Sequence, residues 1–233
     1  MSSSTDTTAD HPTPHTNGAA KHASDQVEAP EAGQVAAAPA PSTAFFGGNP
    51  AAVGVPVFVA GSVALALTLI NYVPQLGAAI PIIFAATGLG LLLSTVWAAS
   101  LGQTAVASIF GIFAGFWLSY AALVLGLTHN WFGILLRNIV HTTAMFLIVW
   151  LVILGLLTLG TLRLPLAFTA LFVVIDAALA VLIVATINGD ATLTKVAGYL
   201  TFAFAAVGAW IFLGVIDTAS GGRGIPLGRP VIH

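Results

Sequence analysis

The chain has 233 residues, 58% of them hydrophobic and only 6% charged, with a formal net charge of −2. A soluble domain carries about 25% charged residues and must cover its wetted surface with polar groups, so this composition excludes an ordinary soluble fold and fits a protein solvated by lipid. The six Lys and Arg form no basic cluster, which argues against nucleic acid, and the lack of cysteine excludes disulfides, thiol catalysis and cysteine-held metal.

Residues 1–44 are rich in Ser, Thr, Ala, Pro and His. The stretch Val35-Ala36-Ala37-Ala38-Pro39-Ala40-Pro41 reads as a disordered linker, because it offers too little apolar surface to offset the entropy of ordering. His11, His15 and His22 lie in this tail without an acidic or sulfur partner at a site-like spacing, so a solvated tail is expected rather than a metal site. The first apolar run starts near residue 50, too far in for a secretory signal peptide, and is expected to act as an uncleaved signal anchor.

Six apolar segments follow, at 52–72, 78–100, 104–127, 141–159, 165–187 and 195–216. Each holds about 20 residues, enough at about 1.5 Å per residue to span a hydrocarbon core. Backbone hydrogen bonds must close within each segment, so the fold class is all-α: a polytopic membrane protein with six transmembrane helices over 45–218 and a short C-terminal tail over 219–233. The connections are short except for 128–140, which makes successive helices antiparallel neighbours. Lys21, Arg163, Arg223 and Arg229 fall on the side of both termini, and Arg137 and Lys195 on the other. The positive-inside rule then places both termini in the cytoplasm.

Asn49-Pro50 opens the first helix. Asn suits an N-cap and Pro a first helical position, where no amide hydrogen is needed; a helix start also attracts anions such as carboxylates, and both roles can hold together. Pro56 removes a backbone hydrogen bond and is expected to kink the helix, freeing the Ala52 carbonyl, while Gly54 permits close approach. In the third helix, Ala107, Gly111 and Gly115 form a small-residue stripe expected to pack against another helix, and Phe113 and Trp117 occupy the opposite side. Arg137, Asn138 and His141 precede the fourth helix and read as interfacial anchors, or as anion gatherers at a pore mouth. Asn71, Gln103 and Asn188 sit near helix ends, as caps or headgroup contacts.

Asp176 is the one acid well inside an apolar segment. An ionised carboxylate there costs about 2.5–3.5 kcal/mol on insertion scales, so Asp176 is a candidate to take up a proton or pair with a cation, the alternative being a hydrogen-bonded tie between helices. No nucleophile–base pair, metal motif, P-loop or dinucleotide fingerprint is present, so neither an enzyme nor a cofactor is expected.

Several motifs together resemble the acetate uptake transporter family, which comprises acetate/succinate–proton symporters or channels. Asn49-Pro50-Ala51-Ala52-Val53-Gly54-Val55 is similar to that family's Asn-Pro-Ala-Pro-Leu-Gly-Leu signature, keeping Asn-Pro-Ala and the Gly but lacking the second Pro. Gly102-Gln103-Thr104, Phe116-Trp117-Leu118-Ser119, Gly160-Thr161-Leu162-Arg163 and the Gly222–Gly228 segment follow in family order, over about residues 48–228. The resemblance implies a six-helix protomer in a homohexamer, each protomer with its own path for small monocarboxylates such as acetate, with the dicarboxylate succinate as a further substrate, accompanied by protons across the cell (inner) membrane. It further implies a narrow apolar constriction from helices 1, 3 and 5, with Phe58, Phe113 and Ile175 at the matching positions, Trp117 four residues after Phe113, and Asn49, Pro50 and Ala51 as substrate contacts. Relatives often carry Tyr where this chain has Phe113, and Asp176 stands outside the pattern. A channel for small neutral solutes (urea, amides, ammonia) is the alternative that six-helix hexamers also accommodate.

Overall fold

The computed structural model describes residues 47–232. The linker and the three tail histidines therefore lie outside the described residues.

Among the described residues, six helical spans are long and apolar enough to cross a membrane. They are built on α1 (Ala51–Leu69), α2 (Leu89–Ser100), α3 (Thr104–Thr128), α4 (Ile139–Gly160), α5 (Leu166–Asn188) and α6 (Ala191–Ala219). Two spans are longer than their α-helices. The second runs from Gly77 to Ser100 and includes a π-helical segment, Ile82–Gly88, ahead of α2. The fourth runs from Leu136 to Thr161, with 3-10 turns at both ends of α4.

The helix ends differ from the apolar segments where polar capping decides them. The first helix stops at Leu69 rather than 72: Asn71 turns left-handed (φ 68°), and the Tyr72 amide donates back to the Leu67 carbonyl at 2.9 Å. The sixth starts at Ala191 rather than 195, because Asp190 Oδ1 accepts the Thr192 and Leu193 amides at 2.7 and 3.1 Å. Arg137 and Asn138 belong to the turn that opens the fourth span, which shortens the third connection.

The neighbour pattern is set by small residues. α1 packs on α6, α6 on α5 and α5 on α4, while the second span lies against both α1 and α3. Gly61 of α1 faces Thr87 of the π-helical segment, whose hydroxyl donates to the Val57 carbonyl at 2.8 Å. The small stripe of α3 is used twice: a Cβ on Gly111 would lie 3.2 Å from Thr95, and one on Gly115 would lie 3.2 Å from the Trp150 ring. The α3–α4 contact is mostly aromatic. Phe116 meets Trp150 edge-on at 5.5 Å between centroids and Phe146 at 5.9 Å, and Tyr120 reaches Phe146 at 6.0 Å.

The segment after α6 is strapped back onto the helix ends. The Gly224 amide donates to Asp217 Oδ2 at 2.9 Å, the Ala167 amide donates to the Leu227 carbonyl at 2.9 Å, and the Val231 and Ile232 amides donate to the Leu162 carbonyl. Gly228 passes so close to Leu166 that its missing side chain is needed as much as its left-handed φ of 82°. Asp217→Ala removes the one side-chain anchor of this strap. Trypsin cleavage after Arg223 is expected to accelerate severalfold, with the helical circular dichroism signal unchanged; equal cleavage rates would show that the backbone bonds alone hold the strap.

Candidate functional site: two dry chambers and an aromatic constriction

Phe58 of α1 and Phe113 of α3 meet in the centre of the bundle with ring centroids 4.8 Å apart, in van der Waals contact. Phe204 of α6 closes on Phe58 from a third side at 5.9 Å, and Phe172 of α5 lies 5.5 Å from Phe113. Small cavities flank this cluster, and Phe58 and Phe113 form part of both walls. One, of about 40 Å³, extends from them toward the end where α1 begins, past Val55, Phe110 and Phe172. The other, of about 30 Å³, extends the opposite way past Leu65, Leu69, Trp117, Ile175 and Leu182. On α1 the wall residues 55, 58, 65 and 69 climb about 21 Å at the rise of an α-helix, most of the depth of a hydrocarbon core.

The walls carry almost no hydrogen-bonding capacity. Thr201 is the one hydroxyl among them, and it donates to the Ala197 carbonyl of its own helix at 2.8 Å. Trp117 Nε1 is buried and has no hydrogen-bond partner among the described residues. A cavity of this size can admit water, but apolar walls give it nothing to bind, so such spaces stay dry. Such walls penalise a bare ion, which would leave its hydration without a replacement partner.

The structure brings together four of the residues singled out from the sequence: Phe58, Phe113, Trp117 and Ile175 share one chamber wall. Asn49, Pro50 and Ala51 stand apart from both chambers, at the opening of α1. There Asn49 Oδ1 accepts the Ala51 amide at 3.0 Å, and the Asn49 carbonyl accepts the Ala52 amide at 3.0 Å. Gly54 ties this signature to the site, because the ring of Phe110, in the chamber toward the start of α1, lies where a Cβ would be. Arg137, Asn138 and His141 are exposed and line neither chamber.

Asp176 follows Ile175 in sequence but turns from the chamber toward α4. Thr158 Oγ1 lies 2.6 Å from Asp176 Oδ2 and 2.9 Å from the Leu154 carbonyl, while Asp176 Oδ1 is buried without a partner among the described residues. A hydroxyl has one hydrogen, so Thr158 cannot donate to both neighbours at once. Leu154 is itself a chamber wall residue, so one side-chain step separates the acid from the chamber.

Sequence reading passed over the contribution of α6. Thr201, Phe204, Gly208 and Ile211 face the chambers at spacings of three and four. Hydropathy is blind to this face because the lipid side of α6 is equally apolar; the recurrence of small and aromatic residues was the available signal.

Residues 31–221 match the family described as GPR1/FUN34/yaaH. The Meiotically up-regulated gene 86 protein of Schizosaccharomyces pombe (strain 972 / ATCC 24843) is 32% identical over 133 residues, covering 53% of this chain and 42% of that protein. The match thus spans less than half the length of that relative. A solved structure described as the bacterial acetate channel SatP is similar at a TM-score of 0.70 and 21% identity, covering 78% of this chain and 100% of that one. At that identity the likeness establishes the fold.

A methyl group at Gly54 would meet three Phe110 ring atoms at 2.5–2.7 Å. Gly54→Ala is expected to cost about 1–3 kcal/mol through overpacking, read as a lower thermal midpoint in detergent. Adding Phe110→Leu should recover part of the loss; no recovery would place the strain elsewhere.

Proposed function

This chain belongs to the GPR1/FUN34/yaaH family, and we propose that it carries small monocarboxylates, acetate foremost, across a membrane through a path inside each protomer. The observation that carries the reading is the Phe58–Phe113 closure between two dry chambers along the bundle. A path of this kind selects by size and by the ability to shed charge. Acetate fits both demands, since one proton converts it to a small neutral acid. The name of the structurally similar acetate channel supports the same substrate class.

Proton coupling belongs to the proposal. A carboxylate crossing an apolar constriction faces a large desolvation barrier, and travel with a proton lowers it. Asp176, sharing a hydrogen bond with Thr158 beside the chamber wall, is the candidate carrier. Succinate would pass by the same logic with two protons. The assembly is proposed as a homohexamer in the cell membrane, with both termini cytoplasmic. Exposed apolar residues of α4 such as Met145, Val149, Val152 and Leu156 supply a face for lipid or for neighbouring copies. Because neither chamber wall contains a charged side chain, passage of small neutral solutes is the second reading.

The test is uptake of radiolabelled acetate into proteoliposomes with and without an inward proton gradient. Uptake stimulated by the gradient and suppressed by excess unlabelled acetate is expected. No uptake above protein-free vesicles, with urea or acetamide flux present, would replace this reading by the second. Phe58→Ala should widen the constriction and raise butyrate uptake relative to acetate by about tenfold, which corresponds to about 1.4 kcal/mol of barrier. Asp176→Asn should retain the fold and lose the stimulation by the gradient; full stimulation in that variant would leave Asp176 as a tie between α4 and α5.

A further inference from the structure

We propose that the open cavity at the Lys195 end of the bundle is a recruitment site for small carboxylate anions, with Lys195 as its cation and the Asn71 amide as its second donor. The inference rests on the transport reading and adds to it a place where the charged form of the permeant gathers before it meets the dry chambers.

The cavity has a volume of about 530 Å³ and lies between the end of α1, the end of α5 and the start of α6. It adjoins the chamber wall directly. Leu69 belongs to both, and Thr186 of the cavity donates to the carbonyl of Leu182, a chamber residue one turn earlier. A permeant leaving the cavity inward therefore meets Leu69 and then the Phe58–Phe113 closure.

The donor inventory selects the ligand. Three threonines line the cavity, and each has committed its hydrogen to its own helix: Thr68 to the Leu65 carbonyl at 2.7 Å, Thr186 to the Leu182 carbonyl at 2.7 Å and Thr194 to the Asp190 carbonyl at 2.9 Å. The side-chain donors left for a guest are the Lys195 ammonium and the Asn71 amide. Lys195 makes no ion pair among the described residues. The nearest acid in sequence, Asp190, faces the Thr192 and Leu193 amides as the cap of α6. A carboxylate only accepts hydrogen bonds and carries the opposite charge, so it complements this set, whereas a neutral amide or urea gains nothing from the cation. Asn71 is held in place by its left-handed backbone, which Asn and Asp tolerate better than most residues.

The experiment compares the unaltered protein with Lys195→Gln, Lys195→Arg and Asn71→Asp in phosphatidylcholine vesicles, which carry no net-anionic headgroup to occupy the cavity. Initial acetate uptake is measured against acetate concentration at low and high salt, with acetamide flux as the neutral control. Lys195→Gln is expected to raise the half-saturating acetate concentration about fivefold at low salt, the scale of one ion pair near contact in water, and to lose that difference in high salt. Asn71→Asp should act in the same direction, Lys195→Arg should behave as the unaltered protein, and acetamide flux should not change in any of them. Uptake by Lys195→Gln with unchanged half-saturation and unchanged salt dependence overturns the recruitment site alone. Absence of acetate uptake by the unaltered protein overturns the transport reading and this inference with it.

Discussion

Hydrocarbon offers no hydrogen bonds, and that constraint governs the rest of this structure. Every hydroxyl inside the spans must find a partner locally, and most return to their own helix. Ser62 donates to the Phe58 carbonyl, Ser94 to Gly90, Ser119 to Gly115 and Thr201 to Ala197. A few cross between elements: Thr87 reaches the Val57 carbonyl where Gly61 lets the backbones approach, Thr158 meets Asp176, and Thr169 donates to the Thr161 carbonyl. Once these donors are spent, the interior left between helices 1, 3, 5 and 6 has little polar capacity. Dryness of the two chambers is a consequence of the same rule that keeps the helices intact.

A dry interior is also what makes the aromatic cluster a barrier. Phe58, Phe113, Phe172 and Phe204 come from four different helices and close on one another through ring contacts of 4.8–5.9 Å. None of them can hydrogen-bond a substrate; on the proposed reading they exclude what cannot discard its hydration shell. Asp176 lies behind this wall, hydrogen-bonded to Thr158 of the neighbouring helix. On the proposed reading, polar recruitment and apolar passage are separated in space. The Lys195 cavity and the chambers meet at Leu69.

Much of the architecture was legible in the residues. All six spans follow from apolar length, and the offsets of Phe58, Phe113 and Ile175 from short motifs pointed to side chains that do meet in space. Helix ends were less legible, since hydropathy alone placed the start of the sixth helix at residue 195, whereas Asp190 caps it one turn earlier. The π-helical segment at Ile82–Gly88 left no mark in a pattern that is apolar on all sides. The share of α6 in the chamber was hidden for the same reason, and the strap after α6 read only as a short tail because its bonds are made by backbone amides that any sequence supplies. Asp176 was conspicuous as an isolated acid, but its direction toward Thr158 depends on how α4 and α5 face each other, which no local pattern records.

Because the chain contains no cysteine, the division of the path can be measured directly by placing one cysteine at a time. Val55→Cys and Leu69→Cys lie on opposite sides of the Phe58–Phe113 closure, and each can be challenged with a small membrane-impermeant thiol reagent from either face of oriented vesicles. The account predicts that Leu69→Cys reacts only from the face that carries Lys195 and Val55→Cys only from the face where α1 begins and α6 ends. Reaction of both cysteines from the same face would contradict a closed aromatic constriction at the centre of the path.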